Sequence, residues 1–434
     1  MIRFSRITAG IVILLSLGAI VAGVERFPPP QFEQEYEMPH PTTPGPRHLA
    51  FEYFDVVVLL GALSLASYLT LKKRSRKATF ALMVFSLLYF GFWRQGCVCS
   101  IGAIQNVVLA IFDSSYVMPV TVLMFFLLPL LFTLFFGRAF CAAVCPLGAI
   151  QDIVLWRPTA LPGWLESVLR LIAYTYLGAA VLFAATGSAL IICRYDPFVS
   201  FFRLSGDLHI VIFGGCLLVI GMFIGRPYCR FICPYGVILR QLSRLSRRHV
   251  TITPDECIHC RLCEGACPFG AINKPTVDWP ATEYAKSKKR LTIQIALLPI
   301  LVIFFGLIAS LLHPVTSRAH ATVRLAEQVY LEDAGKLTET TDASDAFRAT
   351  GRPKSELYAE ASEIRSQFAL GGWFFGGFIG LVIGLKLIKL GLWRQRMDYE
   401  ADAAGCVSCG RCFDYCPKEH LRLKRERETA GISS

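Results

Sequence analysis

The chain has 434 residues, of which 54% are hydrophobic and only 18% are charged, and its mean hydropathy is +0.49. An ordinary soluble domain carries about 25% charged residues. The composition therefore excludes a soluble globular enzyme, a disordered protein and a nucleic-acid-binding protein. The net charge of +12 is informative through the placement of the basic residues rather than through their sum.

Long apolar segments recur along the chain. A helix needs about 20 apolar residues to cross the hydrocarbon core of a membrane. The first such segment follows Arg3 and Arg6, as a signal peptide would, but we favour an uncleaved anchor. The eight predicted spans are residues 7–24, 54–71, 78–93, 115–136, 168–190, 208–224, 291–312 and 370–389.

The distribution of Lys and Arg predicts the orientation of these spans. With the N-terminus inside and strict alternation, the inside segments hold 32 of the 44 basic residues. This predicts an eight-helix membrane protein with both termini in the cytoplasm. The predicted division is an anchor at 1–24, a periplasmic linker at 25–53, helical hairpins at 54–250, a cluster segment at 251–290, a span at 291–312, a periplasmic loop at 313–366, a span at 367–393 and a second cluster segment at 394–434.

Twelve of the 16 cysteines fall into four ordered motifs. Two of these motifs, at 257–268 and 406–417, read C-x2-C-x2-C-x3-C-P, the bacterial ferredoxin pattern for [4Fe–4S] clusters. The fold class predicted is thus a polytopic all-α membrane protein with a cytoplasmic, split two-cluster ferredoxin-like domain. Two structural zinc sites are the alternative, but zinc ribbons separate their C-x2-C pairs by longer gaps.

In two-cluster ferredoxins the fourth cysteine of each run serves the other cluster. We therefore expect two crossed ligand sets. One consists of Cys257, Cys260, Cys263 and Cys416, and the other of Cys406, Cys409, Cys412 and Cys267. The predicted topology allows this, because two membrane crossings return the chain to the same side between the runs.

The other two motifs form an internal repeat. Residues 137–151 and 225–239 both contain G-R-x-x-C-x-x-x-C-P-x-G at an offset of 88 residues, each after a predicted span. The four cysteines, Cys141, Cys145, Cys229 and Cys233, are predicted to meet near the cytoplasmic face. A further iron–sulfur cluster, a redox dithiol pair and structural thiols all remain open.

Four cysteines lie outside these motifs. Cys97 and Cys99 belong to C-V-C-S-I-G-A-I-Q, a degenerate copy of the C-P-L-G-A-I-Q at 145–151, and Cys193 begins C-R-Y-D-P-F. The predicted topology puts these three outside. Cys99 and Cys193 are expected to approach each other, either as a relay and cofactor contact or as a disulfide. Cys216 is expected to be an apolar filler within a helix.

These motifs together resemble the NosR/NirI/NapH group of bacterial membrane polyferredoxins. The sequences R-Q-G-C-V-C-S-I-G-A-I-Q-N and C-R-Y-D-P-F-V-S-F-F are more similar to NosR and NirI than to NapH. NosR-type proteins carry a periplasmic flavin-binding domain between the first two helices, where this chain has only about 30 residues. The resemblance therefore implies that any flavin would be bound by a partner chain.

The function predicted is an electron-transfer subunit with two [4Fe–4S] clusters and no catalytic residue of its own. It would pass electrons between a cytoplasmic or quinol donor and a periplasmic flavoprotein, cytochrome or reductase. A redox maturation factor for a metalloenzyme and a redox sensor are the alternatives. Membrane lipid is an expected partner, and nucleic acid is not.

Overall fold

The computed structural model describes residues 47–96, 99–159, 161–252, 257–276, 281–337, 339–392 and 395–429. The predicted anchor and Cys97 lie outside the described residues. The described chain is mostly α-helical, and its strands form one two-stranded antiparallel sheet.

The first third of the described chain forms a group of apolar helices. A π-helix, Leu87–Trp93, continues directly from α2, and Pro129 lies inside α4. The Ser75 hydroxyl accepts a hydrogen bond from the Ala78 N–H and so caps the start of α2. The helices are α1 (Leu49–Leu71), α2 (Arg76–Ser86), α3 (Ala103–Phe112) and α4 (Val120–Phe136).

The next part alternates long and very short helices. Pro146, Pro227 and Pro234 each occupy a first helical position, where their lack of an N–H costs nothing. The helices are α5 (Ala139–Ala143), α6 (Pro146–Ile153), α7 (Gly163–Ala185), α8 (Ile191–Arg194), α9 (Val199–Arg203), α10 (Leu208–Gly221), α11 (Pro227–Phe231) and α12 (Pro234–Arg244).

The last part contains the two longest helices and the two strands. Its elements are α13 (Leu262–Ala266), β1 (Ile272–Asn273), α14 (Ala281–Leu311), α15 (His313–Thr316), a 3-10 turn (Ser317–Ala319), α16 (Ala321–Asp333), α17 (Asp342–Ala349), α18 (Lys354–Gly391), β2 (Glu400–Ala401), α19 (Arg411–Tyr415) and α20 (Pro417–Thr429).

Among the described residues, four helices are long and apolar enough to cross a membrane: Leu49–Leu71, Gly163–Ala185, Ser287–Leu311 and Lys354–Lys389. Each overlaps a predicted span. The other three predicted spans in the described chain overlap shorter helices, namely α2 with its π-helix, α4 and α10. At 1.5 Å per residue the 14 residues of α10 extend about 21 Å, less than the hydrocarbon thickness. The number of eight spans stays a prediction.

The predicted loop at 313–366 is instead mostly helical. Helices α15, α16 and α17 and the first turns of α18 pack into a small unit that we call the helical cap. Val323, Phe347, Leu357 and Phe368 form its core, which also contacts Leu182 of α7. Each of these helices carries both apolar and charged residues, and mutual burial of the apolar faces stabilises the unit.

Helices α14 and α18 form a closely packed antiparallel pair. A Cβ at Gly376 would lie 2.0 Å from the Phe305 carbonyl oxygen, and one at Gly380 would lie 2.4 Å from that of Leu301. Only glycine permits such an approach of the two backbones. The glycine-rich segment 371–380 therefore serves helix packing, as the sequence predicts.

The two strands join segments that are far apart in sequence. Ile272 pairs with Ala401 and Asn273 pairs with Glu400 in antiparallel register. The Asp402 N–H also donates to the Ala271 carbonyl at 2.8 Å. One ferredoxin run precedes β1 and the other follows β2, so the sheet brings them together as one unit.

Candidate metal centres

Three cysteines of the first run and one of the second line a single small cavity. They are Cys257, Cys260, Cys263 and Cys416. Burial raises the pKa of the Cys263 thiol to about 11, and the charges of the other three thiols add to the rise. Four thiolates so close together need a bound cation, which is the environment that an iron–sulfur cluster supplies.

No side chain of the second quartet is exposed, whereas Cys260 of the first quartet is. Cys409 is 9% exposed, and Cys267 and Cys406 pack against the same apolar group, which includes Phe269. Burial raises the pKa of the Cys412 thiol well above its usual value, and the charges of Cys406, Cys409 and Cys267 raise it further. The structure thus brings the eight cysteines together in two sets, each with three members from one run and the fourth from the other.

Both runs wrap their cavities with the same backbone conformation. The second residue after the first cysteine has a positive φ in each run, 53° at His259 and 55° at Ser408. The residue after the second cysteine also does, at Arg261 (63°) and Gly410 (75°). Left-handed conformations are strained for residues other than glycine. Their repetition indicates that the fold imposes this loop in order to converge the thiols.

The second run is attached to the helices by a buried charge cluster centred on Asp152, which sequence reasoning did not identify. Arg76 contacts the Asp152 carboxylate at 2.6 Å, Arg411 at 3.4 Å and Arg226 at 3.5 Å. Burial alone would raise the pKa of Asp152, but the attraction of Arg226, Arg76 and Arg411 outweighs it and holds that pKa far below its usual value. Arg76 also donates to the Cys409 carbonyl oxygen at 3.1 Å.

A second buried ion pair lies beside the same run. The Arg74 guanidinium contacts the Glu419 carboxylate at 2.6 Å, and the two side chains are 8% and 0% exposed. Arg74 also stacks on the Phe413 ring, 4.0 Å from its centroid. Arg74 and Arg76 both belong to the basic K-K-R-S-R-K turn, which the sequence marks only as a sign of orientation. In the structure these arginines hold the ferredoxin-like unit in place.

The two C-x3-C-P segments interlock. Arg226 of the second segment donates to the Cys141 carbonyl oxygen of the first. In the opposite direction, the Gln151 side-chain oxygen accepts the Tyr228 N–H at 2.9 Å, and its amide nitrogen donates to the Cys229 sulfur at 3.3 Å. Each segment therefore positions a cysteine of the other.

All four thiols of these segments lie in or against the main core. Cys145 is 8% exposed and Cys233 is 7% exposed. Cys141 also packs against the apolar group that contains Cys267 and Cys406. The C-x3-C-P thiols thus lie directly beside the second ferredoxin quartet.

Two buried arginines beside the C-x3-C-P thiols carry a positive charge, which would balance the negative charge of bound thiolates. Arg138 is 2% exposed; it donates to the Ala404 carbonyl oxygen at 3.3 Å and lies 3.6 Å from the Cys141 sulfur. Arg226 is 1% exposed. Two buried guanidinium groups favour an anionic group between the segments.

Cys99 lies deeper than the sequence suggests. Cys99 and Cys145 line one internal cavity together with Phe90, Phe125 and Phe140. The predicted topology put these two cysteines at opposite faces, and that separation is wrong. Residues 99–102 and 191–203 contribute Ile101, Ile192 and Phe202 to the main core, which a count of spans cannot predict.

Cys193 lies near Cys99. Its sulfur would be 3.0 Å from a Cβ at Gly102, the residue that begins α3. Cys193 has an exposed side chain, whereas Cys99 is partly buried. Cys216 lies partly buried within α10, and His209 is exposed in the first turn of that helix.

Two family models match the chain, and each is described as a 4Fe-4S binding domain. One matches residues 118–166 and 207–253, and the other matches residues 250–273. The first covers both C-x3-C-P segments and the second covers the first ferredoxin run. The chain is therefore an iron–sulfur protein of the ferredoxin type.

Curated relatives match over part of the chain. Protein NirI of Paracoccus denitrificans is 35% identical over 122 residues, which are 27% of this chain and 18% of NirI. The Escherichia coli protein named "Putative electron transport protein YccM" is 30% identical over 122 residues, which are 26% of this chain and 34% of YccM. No solved structure matches the chain. The chain covers about a third or less of either relative, and over that part the resemblance to NirI- and NosR-type polyferredoxins is confirmed.

Proposed function

We propose that this chain, an iron–sulfur polyferredoxin of the NosR/NirI type over its matched region, conducts electrons through the bacterial inner membrane. Its donor would be a cytoplasmic protein or a quinol. Its acceptor would be a flavoprotein, cytochrome or reductase in the periplasm. The observation that carries this proposal is the continuous series of thiols from the exposed first ferredoxin run into the interior of the helical core.

The first ferredoxin run offers a surface to a soluble donor. Cys260 has an exposed side chain, and Ile258 and Leu262 beside it are 52% and 47% exposed. Apolar side chains around a partly exposed redox site suit the brief contact of electron-transfer partners. We therefore assign this run to the cytoplasmic donor.

The next thiols along the series are held close together by backbone contacts. A Cβ at Gly225 would lie 2.8 Å from the Pro268 carbonyl oxygen, so the segment after Cys267 rests on the second C-x3-C-P segment. Arg230 donates to the same oxygen at 3.5 Å. Glycine at 225 allows an approach that a side chain would prevent.

The cysteines supply the ligands, and the surrounding residues set the charge. We propose two [4Fe–4S] clusters in the ferredoxin-like unit and a further cluster on Cys141, Cys145, Cys229 and Cys233. Bound iron–sulfur clusters supply one-electron carriers. Arg138 and Arg226 would stabilise the anionic ligand set between the segments, and Gln151 would fix the position of Cys229.

A quinol would fit the apolar groove between α3, α7 and α18. The groove has a volume of about 760 Å³ and is lined by Phe112, Phe374 and Phe378, with Gln367 as a polar group. Ligand sites of this size are mostly apolar, with a few polar groups that fix orientation. Gln367→Leu should weaken the binding of a short-chain quinone while the iron content stays the same, and unchanged binding would exclude this groove.

The proposed function can be tested with the full chain in sealed vesicles that enclose ferricyanide. Dithionite added outside should bleach the ferricyanide only when the protein is present. Cys141→Ser and Cys229→Ser should each stop bleaching, while the ferredoxin-type clusters are still reduced in the electron paramagnetic resonance spectrum. Cys216→Ser is the matched control and should behave as the original chain. Bleaching at an unchanged rate in both variants would contradict the proposal.

A further inference from the structure

The interior contains a second unit built on the plan of the C-x3-C-P pair. Cys99 and Gln105 stand in C-S-I-G-A-I-Q where Cys145 and Gln151 stand in C-P-L-G-A-I-Q. The partner segments also correspond, C-R-Y-D-P-F at 193–198 with C-R-F-I-C-P-Y at 229–235. If Ile232 is skipped, cysteine, arginine, an aromatic residue, proline and a second aromatic residue align, and Asp196 takes the place of Cys233.

The same hydrogen bond joins the two halves of each unit. The Gln151 side-chain oxygen accepts the Tyr228 N–H at 2.9 Å, and that of Gln105 accepts the Ile192 N–H, also at 2.9 Å. Tyr228 immediately precedes Cys229, and Ile192 immediately precedes Cys193. Cys193 is therefore placed relative to Gln105 as Cys229 is relative to Gln151.

Asp196 also occupies the local position of Cys233. The Cys233 sulfur accepts the backbone N–H three residues later, from Gly236, at 3.3 Å. The Asp196 carboxylate accepts the N–H three residues later, from Val199, at 3.3 Å, and that of Phe198 at 2.9 Å. Both side chains thus turn back over the start of the following helix, with donor atoms free to accept a further partner.

Asp196 is a buried carboxylate without a cation among the residues that the structure describes. It is 4% exposed, yet no basic side chain there lies within 4.0 Å of it. The two other buried aspartates differ, because Asp55 contacts Arg47 and Arg94, and Asp152 contacts three arginines. A buried carboxylate without a counter-charge is costly unless it is neutralised or binds a metal.

A second buried polar group next to this site also lacks a partner. The Gln105 side chain is fully buried, and its amide nitrogen has no hydrogen-bond partner in the described chain. The corresponding nitrogen of Gln151 donates to the Cys229 sulfur. Gln105 thus contacts the residue before Cys193, and Asp196, which has no counter-charge among the described residues, follows Cys193 by three residues.

The three candidate ligands lie close to one another. The Cys193 sulfur is within 3.0 Å of a Cβ placed on Gly102, which follows Cys99 by three residues. The Cys99 carbonyl oxygen lies 3.9 Å from the same Cβ, so Cys99 and Cys193 approach the same point of the chain. Asp196 follows Cys193 by three residues and completes the set of candidate ligands.

We infer that Cys99, Cys193 and Asp196 bind an iron–sulfur cluster, a second centre beyond the C-x3-C-P pair. Two thiolates and one carboxylate form a donor set that suits iron. As a relay, this centre would accept one electron from the C-x3-C-P centre and pass one on, with no bond made or broken. The relay role rests on the proposed function, whereas metal binding does not. Cys193 is exposed and would be the outlet toward the acceptor.

The test uses the full chain, purified without oxygen in detergent, with iron and acid-labile sulfide measured per chain. Asp196→Ala and Cys193→Ala should each lose the iron of one cluster, about three to four atoms, and keep the ferredoxin-type signals. Asp196→Cys should retain the iron but change the electron paramagnetic resonance spectrum, because thiolate replaces carboxylate. Cys216→Ala and Asp207→Ala are matched controls that should lose none.

The contrary outcomes are distinct. Unchanged iron in Asp196→Ala, zinc in place of iron, or a Cys99–Cys193 disulfide in the original chain would each overturn the inference. If Asp196→Ala does not fold, Asp196→Cys decides, because an unaltered spectrum in that variant excludes Asp196 as a ligand. If Asp196→Ala loses iron as expected but sealed vesicles that contain this variant still bleach the enclosed ferricyanide at the full rate, the result supports the metal centre and excludes its role as a relay.

Discussion

The two ferredoxin runs share one motif and one loop conformation, but they are held by different forces. The first run lies at the surface, where its charged contacts are exposed, as in the Lys274–Glu264 pair at 2.7 Å with exposures of 66% and 31%. The second run is fixed by buried arginines, of which Arg74 is 8% exposed against a fully buried Glu419. The same ligand pattern therefore occurs both in a run at the surface and in a run that packs against the helical core.

This difference shows that the ligand motif fixes the local loop and not the environment. The stability of the second run depends on charges supplied by α2, α6 and the segment before α11. The stability of the first depends mainly on the strand pairing and on the shared quartets. Substitutions in one run and then in the other should show whether the two runs are stabilised in these different ways.

The largest expected effect follows from removing the exchanged cysteines, Cys267 and Cys416, which each run contributes to the quartet of the other. Cys416→Ala should lose the same cluster signal, and about four iron atoms, as Cys260→Ala, because all these thiols line one cavity. Cys267→Ala should instead lose the same cluster signal as Cys409→Ala. Electron paramagnetic resonance of the four variants checks this. If Cys416→Ala matched Cys409→Ala, each run would bind its own cluster.

The next effect concerns the charge cluster beneath the second run. Asp152→Asn leaves Arg76, Arg226 and Arg411 without a counter-charge in a buried site, which should destabilise the fold by about 3–5 kcal/mol. Denaturant unfolding in detergent measures the loss. Asp398→Asn is the matched control in the exposed His259 pair and should cost about 1 kcal/mol or less. Equal losses would remove the distinction between the runs.

Acid should weaken the charge cluster around Asp152. The pKa of Asp152 is lowered in the folded chain, so its contribution is complete above its unfolded value of about 3.9 and is lost as the pH falls below it. The hydrogen-exchange protection factors of residues 395–429 in the metal-free chain, corrected for the intrinsic exchange rate at each pH, should fall below about pH 4, and more than those of residues 257–276. In Asp152→Asn the difference between the two segments should disappear.

The smallest effect is expected in the first run. Lys274→Met removes an exposed ion pair with Glu264 and should change the unfolding free energy by about 0.2–1 kcal/mol. Arg74→Met, its counterpart in the second run, leaves the fully buried Glu419 with Arg422 alone and should cost more than the loss of the exposed pair. Salt should weaken only the Lys274 contribution. A loss of similar size in both variants would show that the second run is not fixed by its buried ion pairs.

Much of the helical framework could be predicted from sequence because apolar runs are local signals. All seven predicted spans in the described chain overlap helices. The helical cap was predicted as a loop with helical periodicity only at 355–366, since its short helices bury their apolar faces against one another and against Leu182. The position of Cys99 beside Cys145 was also missed, because a rule of alternating spans does not describe short segments that pack into the core between spans.

The candidate site, like the fold, could be predicted from sequence only in part. Cysteine spacing predicts which thiols belong to each run, and it carries that information without any structure. Asp152 and Asp196 are single acidic residues with no periodic pattern around them, so their importance depends on tertiary contacts. The one available signal was the alignment of 193–198 with 229–235, in which an aspartate replaces a cysteine.

The exchanged cysteines have a consequence for biosynthesis. The quartet of Cys257, Cys260 and Cys263 is incomplete until Cys416 has been translated, about 150 residues later, which takes on the order of ten seconds. During that interval α14 and α18 must both be inserted. A chain in which only one of these two helices crossed the membrane would leave the second run on the opposite side and could complete neither ligand set, so the exchange links cluster loading to correct membrane assembly.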